Sequence, residues 1–193
     1  FDSINSRLQG HPDMTVTPGI DMSSGSLGLG FAGALGIALG ARAEGRRFTT
    51  FVMLGDGECN EGVVWEGAHV AARYGLDNIV AIVDHNKLQQ FGWTGESLDD
   101  RITPYTDSQL ADRWRAFGWQ VMEVDGHDIP AVLDTLEAAR DHEGGPVAVI
   151  AHTIKGKGVS YMEGDYTWHS KVPNDEEFAL AMEELGETQG GAA

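Results

Sequence analysis

The sequence predicts an α/β fold, a doubly wound and mostly parallel sheet with helices on both faces, and three observations carry that prediction. Continuous apolar runs rich in β-branched residues alternate with longer segments of helical periodicity. The runs are apolar at successive positions, as in strands buried on both faces. Each of the first two runs ends in a short polar cluster, "GDG" at 55–57 and "DHNK" at 84–87.

Taken in order, "FDSINSRLQG" reads as the end of a helix and passes into a Pro/Gly loop. Ser23 or Ser24 is placed to cap the next helix, "LGLGFAGALGIALGARAEG" (27–45). That helix is apolar or small on every face and is predicted to be buried. Then follow strand 48–54, helix 60–75 and strand 78–84. A helix over about 107–117 leads to strand "WQVMEVDG", helix "DIPAVLDTLEAARDHEG" and strand "PVAVIAHTI". A loop rich in Gly, Lys, Tyr and Trp starts at 155, and "NDEEFALAMEEL" closes the pattern as a helix. There is no internal repeat and no domain linker, so residues 1–193 are predicted to form a single domain.

Composition narrows the function classes. Net charge is −17, which argues against nucleic acid or an anionic membrane as partner. No apolar stretch reaches the roughly 20 residues of a membrane span. There is no leader pattern, and the single cysteine, Cys59, excludes an internal disulfide framework. Together these predict a cytoplasmic protein. The 26 glycines cluster around 19–40, 55–67, 92–95 and 156–164, which marks particular loops.

Strand 48–54, helix 60–75 and strand 78–84 make one βαβ unit. Its strands are expected side by side and parallel, so Asp56 and Asn86 emerge together at the carboxyl edge. Neighbouring strands lie about 4.8 Å apart, close enough for two hard oxygen ligands to share a cation. Mg²⁺ favours one or two protein oxygens plus ligand phosphates, and open α/β sheets bind ligands at this edge. The pair therefore reads as a metal–diphosphate clamp. Either cluster alone reads more simply as turn chemistry. "GLGFAG" at 28–33 fits G-x-G-x-x-G, but no strand-like run precedes it, so its glycines are assigned to close helix packing. Cys59 is given no chemical role. "DRWRAFGW" reads as a helix packed on the sheet. Lys155 and Lys157 are equally well phosphate-neutralising groups or solvated loop lysines.

"GDG" followed about thirty residues later by "DHN" resembles the thiamine diphosphate signature. The segments "GHPDMTVTPGIDMSSGSLGLG", "GDGECNEGVVWEGAHVAARYGLDNIVAIVDHNKLQQFG", "WRAFGWQVMEVDGHD" and "AHTIKGKGVSYMEGDYTWHSKVPNDEEF" resemble the N-terminal subunit of split transketolases over essentially the whole chain. The resemblance implies that Asp56, Asn86 and the Leu88 carbonyl ligate Mg²⁺, with Ca²⁺ or Mn²⁺ as substitutes. It implies that Gly57 and Glu58 contact the diphosphate, and that Gly25 and Leu27 contact the aminopyrimidine or diphosphate. His11 and His169 match active-site histidines. Glu61 and Glu66 match a carboxylate network at the subunit contact, leading to the glutamate that activates the cofactor. Read without the family, His11 is an exposed loop residue, His169 a packing partner of Trp168, and Glu61 a favourable charge at a helix N-terminus.

The activity so implied is ketol transfer from a ketose to an aldose. The implied partner is a separate C-terminal subunit carrying the pyrimidine-binding domain, in an assembly with two copies of each chain. The family's N-terminal segment is expected to be missing ahead of Phe1. Two other readings remain open: another thiamine diphosphate enzyme, of the 2-oxo acid dehydrogenase or deoxyxylulose phosphate synthase type, and a non-catalytic subunit that binds cofactor for a partner.

Overall fold

The computed structural model describes residues 3–89 and 107–186. Four strands form one parallel sheet in the order β1-β2-β4-β3. β1 is Thr50–Gly55, β2 Ile79–His85, β3 Gln120–Asp125 and β4 Val147–His152. The helices are α1 Leu29–Ala43, α2 Gly62–Tyr74, α3 Asp107–Ala116, α4 Ile129–Arg140 and α5 Asp175–Glu184. Each predicted strand is present within two residues of its predicted start and end. The predicted glycine cluster at 92–95 lies outside the described residues.

Two cores flank the sheet, which is the physical content of double winding. On one face Leu54, Ala81, Val83, Ala148 and Ile150 pack against α1, α2 and α3. On the other, Val80, Val147 and Val149 pack against α4. Alternate residues of each strand thus serve opposite cores, which explains why the runs are apolar without alternation. The "DRWRAFGW" segment supplies Trp114 and Trp119, both buried, with ring centroids 4.8 Å apart. Trp119 Nε1 donates to the Ala68 carbonyl at 2.9 Å, so this large ring is buried with its polar atom satisfied. The aromatic run is therefore core, as its sequence suggested.

Three expectations are corrected. Residues 3–10 hold turns rather than a helix end. Neither Ser23 nor Ser24 caps α1: its N-cap is Gly28, with no side-chain cap bond, and Ser23 Oγ accepts from Met14 N instead. Gly28 has φ +77, and a Cβ there would stand 2.4 Å from Val63 Cγ1. This helix is thus started by a left-handed residue pressed against α2, a condition only glycine meets without strain. Lastly, α1 is not buried all round. Phe31, Leu35 and Ala38 face the core while Leu29 and Ile37 remain exposed, because the sheet covers only one side of it.

The carboxyl edge is defined by register. Gly55 lies opposite Asp84, and His85 opposite His152. Asp56 N donates to the Asp84 carbonyl at 3.1 Å, carrying the ladder one residue past β1. Asp56 and Asn86 therefore leave the sheet on adjacent strands and in the same direction.

Candidate cofactor site

A cavity of about 490 Å³ opens at this edge, of the size that holds a small-molecule cofactor. It is lined by Leu27, Gly55, Asp56, Gly57, Glu58, Asn60, Glu61, Asp84, Asn86, Leu88, Lys155 and His169. Eight of the predicted site residues are thus brought together: Leu27, Asp56, Gly57, Glu58, Glu61, Asn86, Leu88 and His169. His11 and Gly25 are not. They pack on each other, with His11 Cδ2 2.7 Å from where a Gly25 Cβ would stand, and His11 lines a separate hollow with Asp13 and Ser23.

Asp56 is the electrostatic centre. Its side chain is buried, 2% exposed. One carboxylate oxygen accepts from Gly57 N at 2.7 Å, the other from Lys87 N at 2.8 Å. Burial holds its carboxyl above the ordinary value, against the opposing pull of those two N–H groups. Lys87 has φ +67, a left-handed conformation uncommon for a residue with a side chain. That turn is what points its N–H back at Asp56. Asn86 Nδ2 donates to Asp84 at 3.2 Å, which fixes the amide so that its Oδ1 accepts from Leu88 N at 3.0 Å. The Thr153 hydroxyl donates to the other Asp84 oxygen. Asp56, Asn86 and the 87–88 turn are thereby cross-tied.

Glu58 has a structural duty that the sequence did not disclose. Its carboxylate accepts from Gly28 N at 2.7 Å and from Gly55 N at 3.2 Å. It joins the start of α1 to the end of β1, so the carboxylate is engaged on the protein side. Glu61 is the N-cap residue of α2 and makes no side-chain cap bond. Its carboxylate is left exposed at the cavity rim. Cys59 is fully buried, and burial with the nearby carboxylates pushes its thiol up, so it is not an available thiolate.

Lys155 is the residue that sequence reading left undecided. It lines the cavity, whereas Lys157 lies 3.6 Å from Glu163 and faces a different hollow. The only signal in the sequence was its position just past β4, at the carboxyl edge. Side-chain direction in a loop is not encoded by spacing.

The donor set fits a divalent cation with a diphosphate. The lining carries four carboxylates, Asp56, Glu58, Glu61 and Asp84, against one ammonium, Lys155. An anion entering alone would meet net repulsion, so a hard cation beside the buried Asp56 is the arrangement that charge balance requires. Among the described residues there is no group of three or more His, Cys, Asp or Glu side chains able to hold a metal. A site with two side-chain oxygens, a carbonyl and ligand phosphates does not need one.

Fold and site together define a cofactor-binding α/β domain, and comparison with known proteins gives its family. The family model described as "Transketolase, thiamine diphosphate binding domain" matches residues 1–190, and the chain belongs to that family. One of the two subunits of the apulose-4-phosphate transketolase of Actinobacillus succinogenes is 45% identical over 185 residues, covering 96% of this chain and 64% of that protein. The 6-deoxy-6-sulfo-D-fructose transketolase subunit SqwG of a Clostridium species is 40% identical over 188 residues, covering 96% of this chain and 66% of that protein. The chain thus spans somewhat under two thirds of these relatives. The crystal structure of transketolase from Campylobacter jejuni superposes with a TM-score of 0.85 at 26% identity, over 100% of this chain and 30% of that one. Among the described residues, no helix is long and apolar enough to cross a membrane.

Proposed function

We propose that this chain is the diphosphate-binding subunit of a split transketolase, a single domain holding thiamine diphosphate through Mg²⁺. The carrying observation is the buried Asp56 carboxylate beside Asn86 at the ends of adjacent parallel strands. Asp56, Asn86 and the Leu88 carbonyl would hold the metal, with Ca²⁺ or Mn²⁺ able to take its place. Gly57 and Glu58 would meet the diphosphate through the backbone, and Leu27 would pack against the cofactor. Lys155 would neutralise the charge that the metal leaves. When bound, the cofactor supplies the nucleophile and electron sink for moving a two-carbon ketol unit from a ketose to an aldose. The protein's part is position and proton handling. His169 is placed to hold or move a proton at a sugar oxygen. His11, with Gly25 beneath it, would join the site once substrate or partner closes over that hollow.

The carboxylic acid that activates the cofactor would come from a separate C-terminal subunit with the pyrimidine-binding domain. That subunit would meet this chain at Glu61 and Glu66, with two copies of each chain in the assembly. Two relatives are named for a phosphorylated and a sulfonated sugar, which supports a sugar bearing an anionic group as substrate. Nucleic acid and membranes are not proposed partners, and the cytoplasm is the proposed compartment.

Reconstitution tests this reading. The chain saturated with Mg²⁺ and thiamine diphosphate should bind cofactor yet show no ketol transfer, and mixing with the pyrimidine-domain subunit should produce it. Activity from the chain free of any partner by mass spectrometry would refute the split arrangement. Cofactor binding without transfer in the reconstituted assembly would favour a non-catalytic subunit.

A further inference from the structure

His169 is carried by a single 3-10 turn, Tyr166–His169, in an exposed loop. A lone turn does not hold a side chain at a fixed place over a cavity, so something else must. The neighbours of His169 on both sides are tied to one residue of α5. Lys171 Nζ lies 3.9 Å from the centre of the Trp168 ring and donates to Glu177 Oε1 at 2.8 Å. Trp168 Nε1 donates to the Tyr161 carbonyl at 2.9 Å, and the two rings pack with centroids 5.1 Å apart. The Tyr161 hydroxyl donates to the Glu177 carbonyl at 2.6 Å.

Glu177 is itself fixed. Its Oε2 accepts from Asn174 N at 2.9 Å while its own N donates to Asn174 Oδ1 at 2.9 Å, a reciprocal cap on the first turn of α5. One carboxylate thus closes the helix cap with one oxygen and grips Lys171 with the other. A glutamate serving only the cap would not need the lysine, and a lysine serving only solubility would not lie over an indole.

We propose that Glu177 is a positioning residue for His169, acting through Lys171 and Trp168 so that α5 sets where the imidazole stands over the cofactor cavity. Its effect on catalysis rests on the role given above to His169, but its effect on the position of His169 does not. None of the clamp residues lines the cavity. Their influence on turnover therefore passes through the turn they hold.

The test uses the full chain, both by itself and assembled with its partner. Glu177→Gln preserves an acceptor for Asn174 N while removing the charge that grips Lys171. It should lower kcat about threefold to tenfold with little change in sugar KM, as should Lys171→Met. Lys171→Arg, which can stack and pair, should restore most of the activity. Combined with His169→Ala, Glu177→Gln should cost nothing further, the non-additivity expected of residues acting as a unit. Independently of activity, the imidazole Cε1–H cross-peak of His169 in the full chain should move in Glu177→Gln and return close to its wild-type position in Lys171→Arg. A stationary cross-peak, or an additive double mutant, overturns the proposal. If His169→Ala left turnover intact, the catalytic role of His169 would fall while the cross-peak still decided the positioning claim.

Discussion

Asp56 and Asn86 stand where two strands of a buried ladder end, whereas Lys155 and His169 stand on residues 153–171, a stretch with neither strand nor α-helix. Both pairs line one cavity. The first wall is fixed by backbone: ladder pairing of Gly55 with Asp84, the Asp56 N–H bond to Asp84, and two N–H groups on the Asp56 carboxylate. The second is fixed by contacts of modest individual strength. Gly164 N donates to the Lys155 carbonyl at 2.9 Å, Ser160 N donates to Glu184 at 2.7 Å, and Trp168 and Lys171 hold the turn before α5. The difference teaches that holding the cofactor and acting on substrate are assigned to parts of unequal rigidity. A loop can adjust when a partner or a sugar arrives, and a metal clamp with near-octahedral demands cannot.

The largest effect should follow from breaking the rigid wall. Asp56→Asn removes the buried negative charge and turns an amide NH₂ or the lone amide oxygen toward Lys87 N and Gly57 N, only one of which then keeps an acceptor. Mg²⁺-dependent affinity for thiamine diphosphate should fall by about a hundredfold or more, beyond the roughly 10–100-fold lost with an outer-shell partner. Titration calorimetry with and without Mg²⁺ measures it, and unchanged affinity would sink the clamp assignment.

A smaller effect should follow from loosening the second wall at its root. Gly156 has φ +73, and a Cβ there would stand 2.5–2.6 Å from Met162 atoms, backbone included. Gly156→Ala should therefore destabilise the loop by about 1–3 kcal/mol and lower turnover of the assembled enzyme more than it lowers Mg²⁺-dependent cofactor affinity. Thermal melts beside kinetics and calorimetry separate these. An affinity loss equal to that of Asp56→Asn would erase the distinction between the walls.

The smallest effect is electrostatic. Lys171, and next the Asn174 N–H, hold the Glu177 carboxyl below its ordinary 4.5. A carboxyl whose folded value is depressed stabilises above the unfolded value and loses that contribution as pH falls through the folded one. The melting-temperature gap between the wild type and Glu177→Gln should thus be steady above about pH 5 and shrink below it. A gap that stays constant down to about pH 3 would show that the charge is not what closes the clamp.

The rigid wall was legible in the sequence and the adjustable one was not. "FVMLGDG" and "IVAIVDHN" announce buried parallel strands ending in oxygen ligands, because burial on both faces demands continuous apolar residues and register follows from the crossover. Within the second wall, nothing in "TIKGKG" tells which lysine turns inward. That choice depends on Gly156 letting residues 156–164 fold back on Met162, and on Glu163 meeting Lys157. The cap of α1 was misread for a similar reason. Ser23 has the right chemistry, but the helix start was set by how closely Gly28 approaches Val63.

Sequence by itself determined the fold class, the clamp pair Asp56 and Asn86, the inert Cys59 and the aromatic core around Trp114, because these follow from periodicity and from residue chemistry at strand ends. Tertiary structure alone decided that Glu58 ties α1 to β1, that Lys155 joins the cavity, that His11 stands apart with Gly25, and that α5 holds the turn of His169. Each of those rests on contacts between segments remote in the chain, whose approach is fixed by packing rather than by local preference.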